Sequence, residues 1–233
     1  MDDPQSPIRE AVRQTLERGD LFKGLELAWE GLAENPANSE LRFLQTLALA
    51  RLGESEAAIR AYGRNRIEDI GTEDAIALKA RILKDLALRA KPTDQAPLFR
   101  KSSETYRLAS KLDDGYFSKI NEATTAFLAG DSKRAAKIAR SVVSHPEIVA
   151  GQTYFALATL GEALLLLGEF ADAARMFRAA RLMPDATPGA LASTTRQMGV
   201  ILSRLPITRI WQSRQDDAHL ASTTRQMGVI LSR

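Results

Sequence analysis

The sequence predicts an all-α protein, with roughly eleven or twelve helices in antiparallel pairs stacked as a right-handed solenoid. Three observations lead there. Ala and Leu abound while aromatics make up only 6% of the 233 residues, a balance that favours helices over a β-sandwich. Apolar side chains recur at helical spacing between short breaks. The breaks recur too: Gly19 and Gly53 stand 34 residues apart, a period of helix-pair repeats.

The elements follow in order. Ser6 caps and Pro7 fits the first turn of a helix carrying Ile8, Val12 and Leu16 up to Gly19-Asp20. A second helix runs from about Leu21 to Glu34 and stops at Asn35-Pro36. Ser39 can cap a third, which carries Leu41, Leu44, Leu47 and Leu52 and ends at Gly53. A fourth spans about Ser55 to Arg66, and residues 72–90 form one longer helix. The stretch KPTDQ (91–95) breaks the chain, and residues 96–112 resume it. Asp113-Asp114-Gly115 turns into a helix ending at Gly130-Asp131, and residues 132–145 follow as its partner.

The stretch TLGEALLLLGEFADAARMFRAARLMPD (159–185) is a helix, a turn at Gly168-Glu169 and a second helix. Two antiparallel helices joined so tightly must approach closely. Gly161 and Ala173 remove bulk where the axes come nearest, Phe177 fills the space beside them, and Gly168 supplies the turn. With Leu160, Ala180 and Pro184, this pattern resembles a tetratricopeptide repeat (TPR). In residues 5–66 Gly24, Ala28 and Gly31 match the small sites of a first unit, and Ala58 and Tyr62 those of a second. The resemblance implies a TPR-like solenoid whose first helices line a concave groove.

A narrower resemblance covers roughly residues 70–145. Gly115, Tyr116, Phe117, Ile120, Asn121, Ala123 and Gly130 are similar to the TPR-like regulatory region beside kinases of the apoptosis-signal-regulating type. That region is sometimes called the TRAFs-binding domain, and similar regions occur in bacterial multidomain signalling proteins. Lys119 stands where a Gly is common in that family. The resemblance implies a regulatory scaffold beside an effector domain, so the chain is read as the N-terminal part of a longer signalling protein.

The segment LASTTRQMGVILSR occurs twice, at 191–204 and 220–233. Identity over a whole segment marks either a recent duplication or an artefact, because the other repeats have diverged. The organisation expected is one helical-repeat domain over 1–204, then a linker plus the duplicated segment over 205–233. Ala192, Met198, Ile201 and Leu202 give the first copy an apolar face suited to a closing helix. Pro206 and an exposed-looking Trp211 lie between the copies. If both copies are helical, the second competes for the site of the first, within the chain or by swapping between chains.

Chemistry is harder to find. Cysteine is absent, so the chain has neither disulfides nor thiolate metal sites. The two histidines, His145 and His219, have no metal-ligand spacing, and His145 before Pro146 reads as a capping or solvent-exposed residue. No phosphate-binding Gly loop and no nucleophile elbow occurs. No catalytic residue, cofactor or metal is therefore assigned, and the chain is read as non-enzymatic. The acidic start lacks a signal-peptide pattern, and the longest apolar stretch, with Glu162 inside it, is too short to span a bilayer. A soluble, cytoplasmic protein with no membrane partner is expected.

What remains is binding. Charge is uneven: residues 1–60 carry a net −4 and residues 175–233 a net +6. Lys133, Arg134, Lys137 and Arg140 line one side of the 132–145 helix and could track a phosphate backbone, but stacking aromatics are missing there. Nucleic-acid binding is therefore the alternative, and a protein or peptide partner the first reading. Groove-facing candidates are Phe43 and Leu47, Asn121 and Thr124, and Ala158 and Glu162. Asn121 and Glu162 suit the backbone of an extended peptide or a helix. Asn121 equally suits a bond to its own helix start, and Phe43 and Leu47 suit packing.

Overall fold

The structure, a computed structural model, describes residues 6–113 and 115–205, and among them it is all helical. The chain falls into two compact units, residues 1–114 and 115–233.

The first unit opens with α1 (Ser6–Glu17), α2 (Leu21–Glu34), α3 (Ser39–Leu52) and α4 (Ser55–Arg64). Pairs α1–α2 and α3–α4 are joined by the same turn. Gly19 and Gly53 both have φ of 86°, a left-handed conformation that L side chains disfavour. The following N–H groups reach back five residues, Asp20 to the Thr15 carbonyl at 3.1 Å and Glu54 to the Leu49 carbonyl at 3.0 Å, which satisfies the orphan carbonyls of the helix end. Small residues then set how closely the helices approach. A methyl at Gly24 would lie 2.5 Å from Leu16 Cδ2, and one at Gly31 2.7 Å from Leu41 Cδ1. Val12, Leu16, Leu25, Ala28, Leu41 and Leu44 fill the core they leave.

Three expectations for this unit are corrected. The cap of α3 is Asn38, whose side chain accepts from the Leu41 N–H at 3.0 Å, and Ser39 is the first helical residue. Asn and Ser cap about equally well, so composition could not rank them. The α4 helix stops at Arg64, and a 3₁₀ turn at Ile67–Ile70 buries Ile67. After α5 (Glu73–Arg89), the break is shorter than KPTDQ: α6 (Pro92–Ala109) already begins at Pro92. Proline fits the first helical position, and Asp94 complements the positive end of the helix. Gln95 ties the junction by donating to the Ala90 carbonyl at 3.0 Å. Pro97 removes an N–H that would bond Thr93, which is exposed to water. The α5 and α6 helices pack through Ala77, Ala80, Tyr106 and Ala109.

The second unit has α7 (Tyr116–Leu128) paired with α8 (Ser132–Val143), and α10 (Tyr154–Leu167) paired with α11 (Phe170–Arg181). A short α9 (Pro146–Ala150), not anticipated from the sequence, lies between them, and α12 (Pro188–Arg204) closes the described part. The turn recurs at Gly130 and Gly168, with φ of 92° and 88°. Gly161 sits against Phe177, where a methyl would be 3.0 Å from three ring carbons. One core runs from Ile120 through Ile148, Leu165 and Ala173 to Met198, Ile201 and Leu205. On α12 the expected apolar face is corrected at Ala192, which is exposed. Ala190 is buried instead, near the helix start. Pro206, Trp211, His219 and the second copy at 220–233 lie outside the described residues, as does the side chain of Ser6.

Candidate functional site

Within the second unit, α7, α10 and α12 each bring one polar side chain to a single point. Thr124 on α7 is fully buried, and its Oγ1 donates to Glu162 Oε1 on α10. Gln197 on α12 donates its Nε2 to the same oxygen at 3.0 Å. The helical repeat makes this possible: α7 and α10 are the first helices of their pairs, and α12 follows the second pair. Glu162 is partly exposed, and its Oε1 accepts from both donors.

The α7 helix around this point is unusually polar for a buried element. Ser118, Asn121, Glu122, Thr124 and Thr125 are all buried. Asn121 donates its amide to the Phe117 carbonyl, one turn back, at 3.0 Å. Thr125 donates to the Asn121 carbonyl at 2.7 Å. Glu122 accepts from Arg134 Nη2 on α8 at 2.6 Å, an ion pair whose carboxylate side chain is only 8% exposed.

Beside the seam lies a cleft of about 490 Å³ among α10, α11 and α12. Tyr154, Phe177 and Met198 line it, and Thr194, Arg181 and Arg196 add polar atoms. The Tyr154 hydroxyl donates to Thr194 Oγ1 at 2.7 Å and lies 3.1 Å from the Ala190 carbonyl. Burial pushes the Tyr154 phenol above its ordinary range, and the bond to Thr194 offsets part of that. The start of α10 is held from a distance: Asp185 accepts from the Tyr154 N–H with both carboxylate oxygens, at 3.1 and 3.0 Å.

The residues nominated from the sequence are thus only partly brought together. Thr124 and Glu162 bond to each other, and Asn121 is one helical turn from Thr124. Ala158, also on α10, is buried against α11 and α12. Phe43 and Leu47 belong to the first unit, on α3, where both are half-buried and pack against two apolar clusters. Of the four basic residues on α8, Lys133, Lys137 and Arg140 are exposed, while Arg134 turns inward to Glu122. Gln197 and the Glu122–Arg134 pair were not nominated. The pair had a usable signal, an acid and a base on facing helices of one hairpin; Gln197 had none. Among the described residues no group of three or more His, Asp and Glu could hold a metal.

Hairpins with left-handed glycine turns, small residues at the closest approach and first helices aligned along one face define a helical-repeat protein. The repeat it resembles is the tetratricopeptide (TPR). A family model described as Tetratricopeptide Repeats-Sensor matches residues 22–126. The chain is similar in structure to a thermophilic TPR protein of Thermus thermophilus, at 13% identity and a TM-score of 0.66, over 83% of this chain and 98% of that one. A tetratricopeptide repeat protein from Parabacteroides merdae aligns at 15% identity and a TM-score of 0.42, over 86% of each chain. No curated protein matches the chain. The fold is therefore a helical-repeat fold similar to that of a solved TPR protein. No helix among the described residues is long and apolar enough to cross a membrane.

Proposed function

We propose that the chain is a non-catalytic interaction and regulatory module, and that residues 115–205 hold a peptide or a neighbouring domain on the face built by α7, α10 and α12. The observation that carries this reading is the Glu162 carboxylate. Two neighbouring helices, α7 and α12, each bring a donor to it, and the residue is partly exposed. A carboxylate held by donors from two helices is preorganised for a further donor, because little side-chain entropy is left to lose. Asn121 and Thr124 set the wall behind it. On the first unit, the same role falls to Phe43 and Leu47 as apolar contacts. The resemblance of residues 70–145 to regulatory regions of signalling proteins supports a regulatory role beside an effector.

Nucleic-acid binding through α8 is the weaker reading, since Arg134 is committed to a buried carboxylate and three exposed cations remain for a phosphate backbone. The test is retention from source-cell lysate on the immobilised chain at moderate salt, identified by mass spectrometry. Wild type is compared with Glu162→Gln, which keeps the shape and removes the charge, and with Asn121→Ala/Glu162→Ala. Proteins held by wild type and depleted about tenfold by both variants, a loss of about 1.4 kcal/mol, support the reading. Retention of polynucleotide indifferent to both variants, and lost on raising salt, overturns it.

A further inference from the structure

The contacts of α12, combined with the repeated segment, point to a second occupant for its place in the fold. Beside Ala190 and Leu205 at its two ends, four side chains seat the body of α12 on the rest of its unit. Thr194 accepts from Tyr154 at 2.7 Å, Gln197 donates to Glu162 at 3.0 Å, and Met198 and Ile201 enter the core at 3% and 0% exposure. All four lie within 191–204, and the segment at 220–233 repeats them as Thr223, Gln226, Met227 and Ile230. We infer that residues 220–233 of the same chain bind this seat in exchange with residues 191–204. This rests on the contacts of α12 and on the repeat, and stands apart from which partner the face holds.

The flanking residues fit the inference with one exception. In the register of the repeat, Asp216 takes the place of Thr187, the cap of α12, and Asp217 the place of Pro188. Asp is as good a cap as Thr, and an acid in the first turn suits the helix dipole. His219 takes the place of Ala190, which is 8% exposed, so an imidazole must be accommodated at the edge of the cleft. The repeat is also the wrong sequence for a partner helix to α12. Second helices such as α11 present Ala173, Phe177 and Ala180 to their partners, whereas 220–233 carries the contact residues of α12 itself.

Loop length sets the balance. The first copy closes a loop of residues 182–187, and the second would close one of residues 182–216. Closure scales as the three-halves power of length, so the first copy is favoured about 14-fold. Occupation from another molecule is weaker still at micromolar protein, because a tethered segment sits at an effective concentration in the millimolar range.

The test uses the full chain. Three variants are compared with wild type by thermal unfolding and by mass in solution over a wide concentration range: Met198→Asp/Ile201→Asp, Met227→Asp/Ile230→Asp, and all four changes together. The second-copy variant is expected to melt as wild type. The first-copy variant is expected to retain part of the stability that the fourfold variant loses, and to stay monomeric. Equal melting of the first-copy and fourfold variants overturns the inference, as does a dimer that grows with concentration. Because the chain has no cysteine, a direct readout is clean. Glu162→Cys/Gln226→Cys is treated with a short bismaleimide beside a Glu162→Cys/Gln197→Cys reference. An intrachain 162–226 link is expected at about one-fourteenth of the reference, rising when Met198→Asp is added. Absence of that link, or a link only between chains, sinks the inference.

Discussion

Two glycine-to-alanine exchanges separate packing from helix propensity within one unit. Gly161 lies inside α10 and Gly199 inside α12. Each exchange gains roughly 1 kcal/mol of intrinsic helix stability. At Gly199 the new methyl meets nothing within 4 Å, so propensity acts alone. The melting temperature should rise by roughly 2–4 °C for a chain of this size. At Gly161 the methyl would stand 3.0 Å from Cδ1, Cε1 and Cζ of Phe177. That ring is only 3% exposed, so it cannot swing into water and must push its neighbours. Overpacking of this kind costs about 1–3 kcal/mol. The cost outweighs the propensity gain, and a net loss of about 1 kcal/mol is expected. Thermal unfolding of both single variants gives the comparison. Gly161→Ala/Phe177→Leu completes a double-mutant cycle, in which the smaller side chain should recover at least about 0.5 kcal/mol of the clash. If Gly161→Ala stabilises as much as Gly199→Ala does, the close-approach account of this glycine is refuted.

Other perturbations follow the same physics. Burial pushes the phenols of Tyr62, Tyr116 and Tyr154 above their ordinary range; the unfolded chain ionises first, so stability is full below about pH 10 and falls above it. Melting temperatures that stay flat between about pH 9 and pH 11 would contradict this. Arg134→Ala strips the cation from the buried Glu122 carboxylate and should cost about 2 kcal/mol, whereas Lys137→Ala on the exposed side should change stability by less than about 0.5 kcal/mol; equal effects in urea unfolding would rule out the inward role of Arg134. Asp185→Ala removes an acceptor of the Tyr154 N–H at the start of α10 and should cost about 1 kcal/mol, with faster amide exchange at Tyr154 as its local signature; unchanged exchange there would show that this bond is dispensable.

Much of the fold was legible because it rests on local signals. Leu21–Glu34 appears with the bounds expected, stopping at Asn35-Pro36, and the role of Gly161 beside Phe177 follows from the hairpin pattern. Short elements were not legible. The 3₁₀ turn at Ile67–Ile70 and α9 at Pro146–Ala150 are too brief to show a helical period. Pro92, Thr93 and Asp94 have loop composition but serve as a helix start, a case where position overrides propensity. The site was legible by face and not by depth. Helical spacing placed Asn121 and Thr124 together, yet it could not show that Thr124 is sealed against Glu162. That depends on which helix comes next to α7. Gln197 depends on the packing of α12, which no local pattern encodes.

The bond from Asp185 to the Tyr154 N–H has a kinetic consequence. It joins the exit of α11 to the entry of α10 across 31 residues, while Gly168 closes the other end. The α10–α11 hairpin is thus tied at both ends, by the local turn at Gly168 and by this bond at the open end. The turn is local, costs little loop entropy and forms early. Refolding of the second unit then has a natural starting point in this hairpin, and α7 and α12 add to a surface that already exists. The bonds from Thr124 and Gln197 to Glu162 form only once α7 and α12 have packed against that hairpin. The polar seam completes the unit, and its assembly reports that the neighbouring helices have arrived.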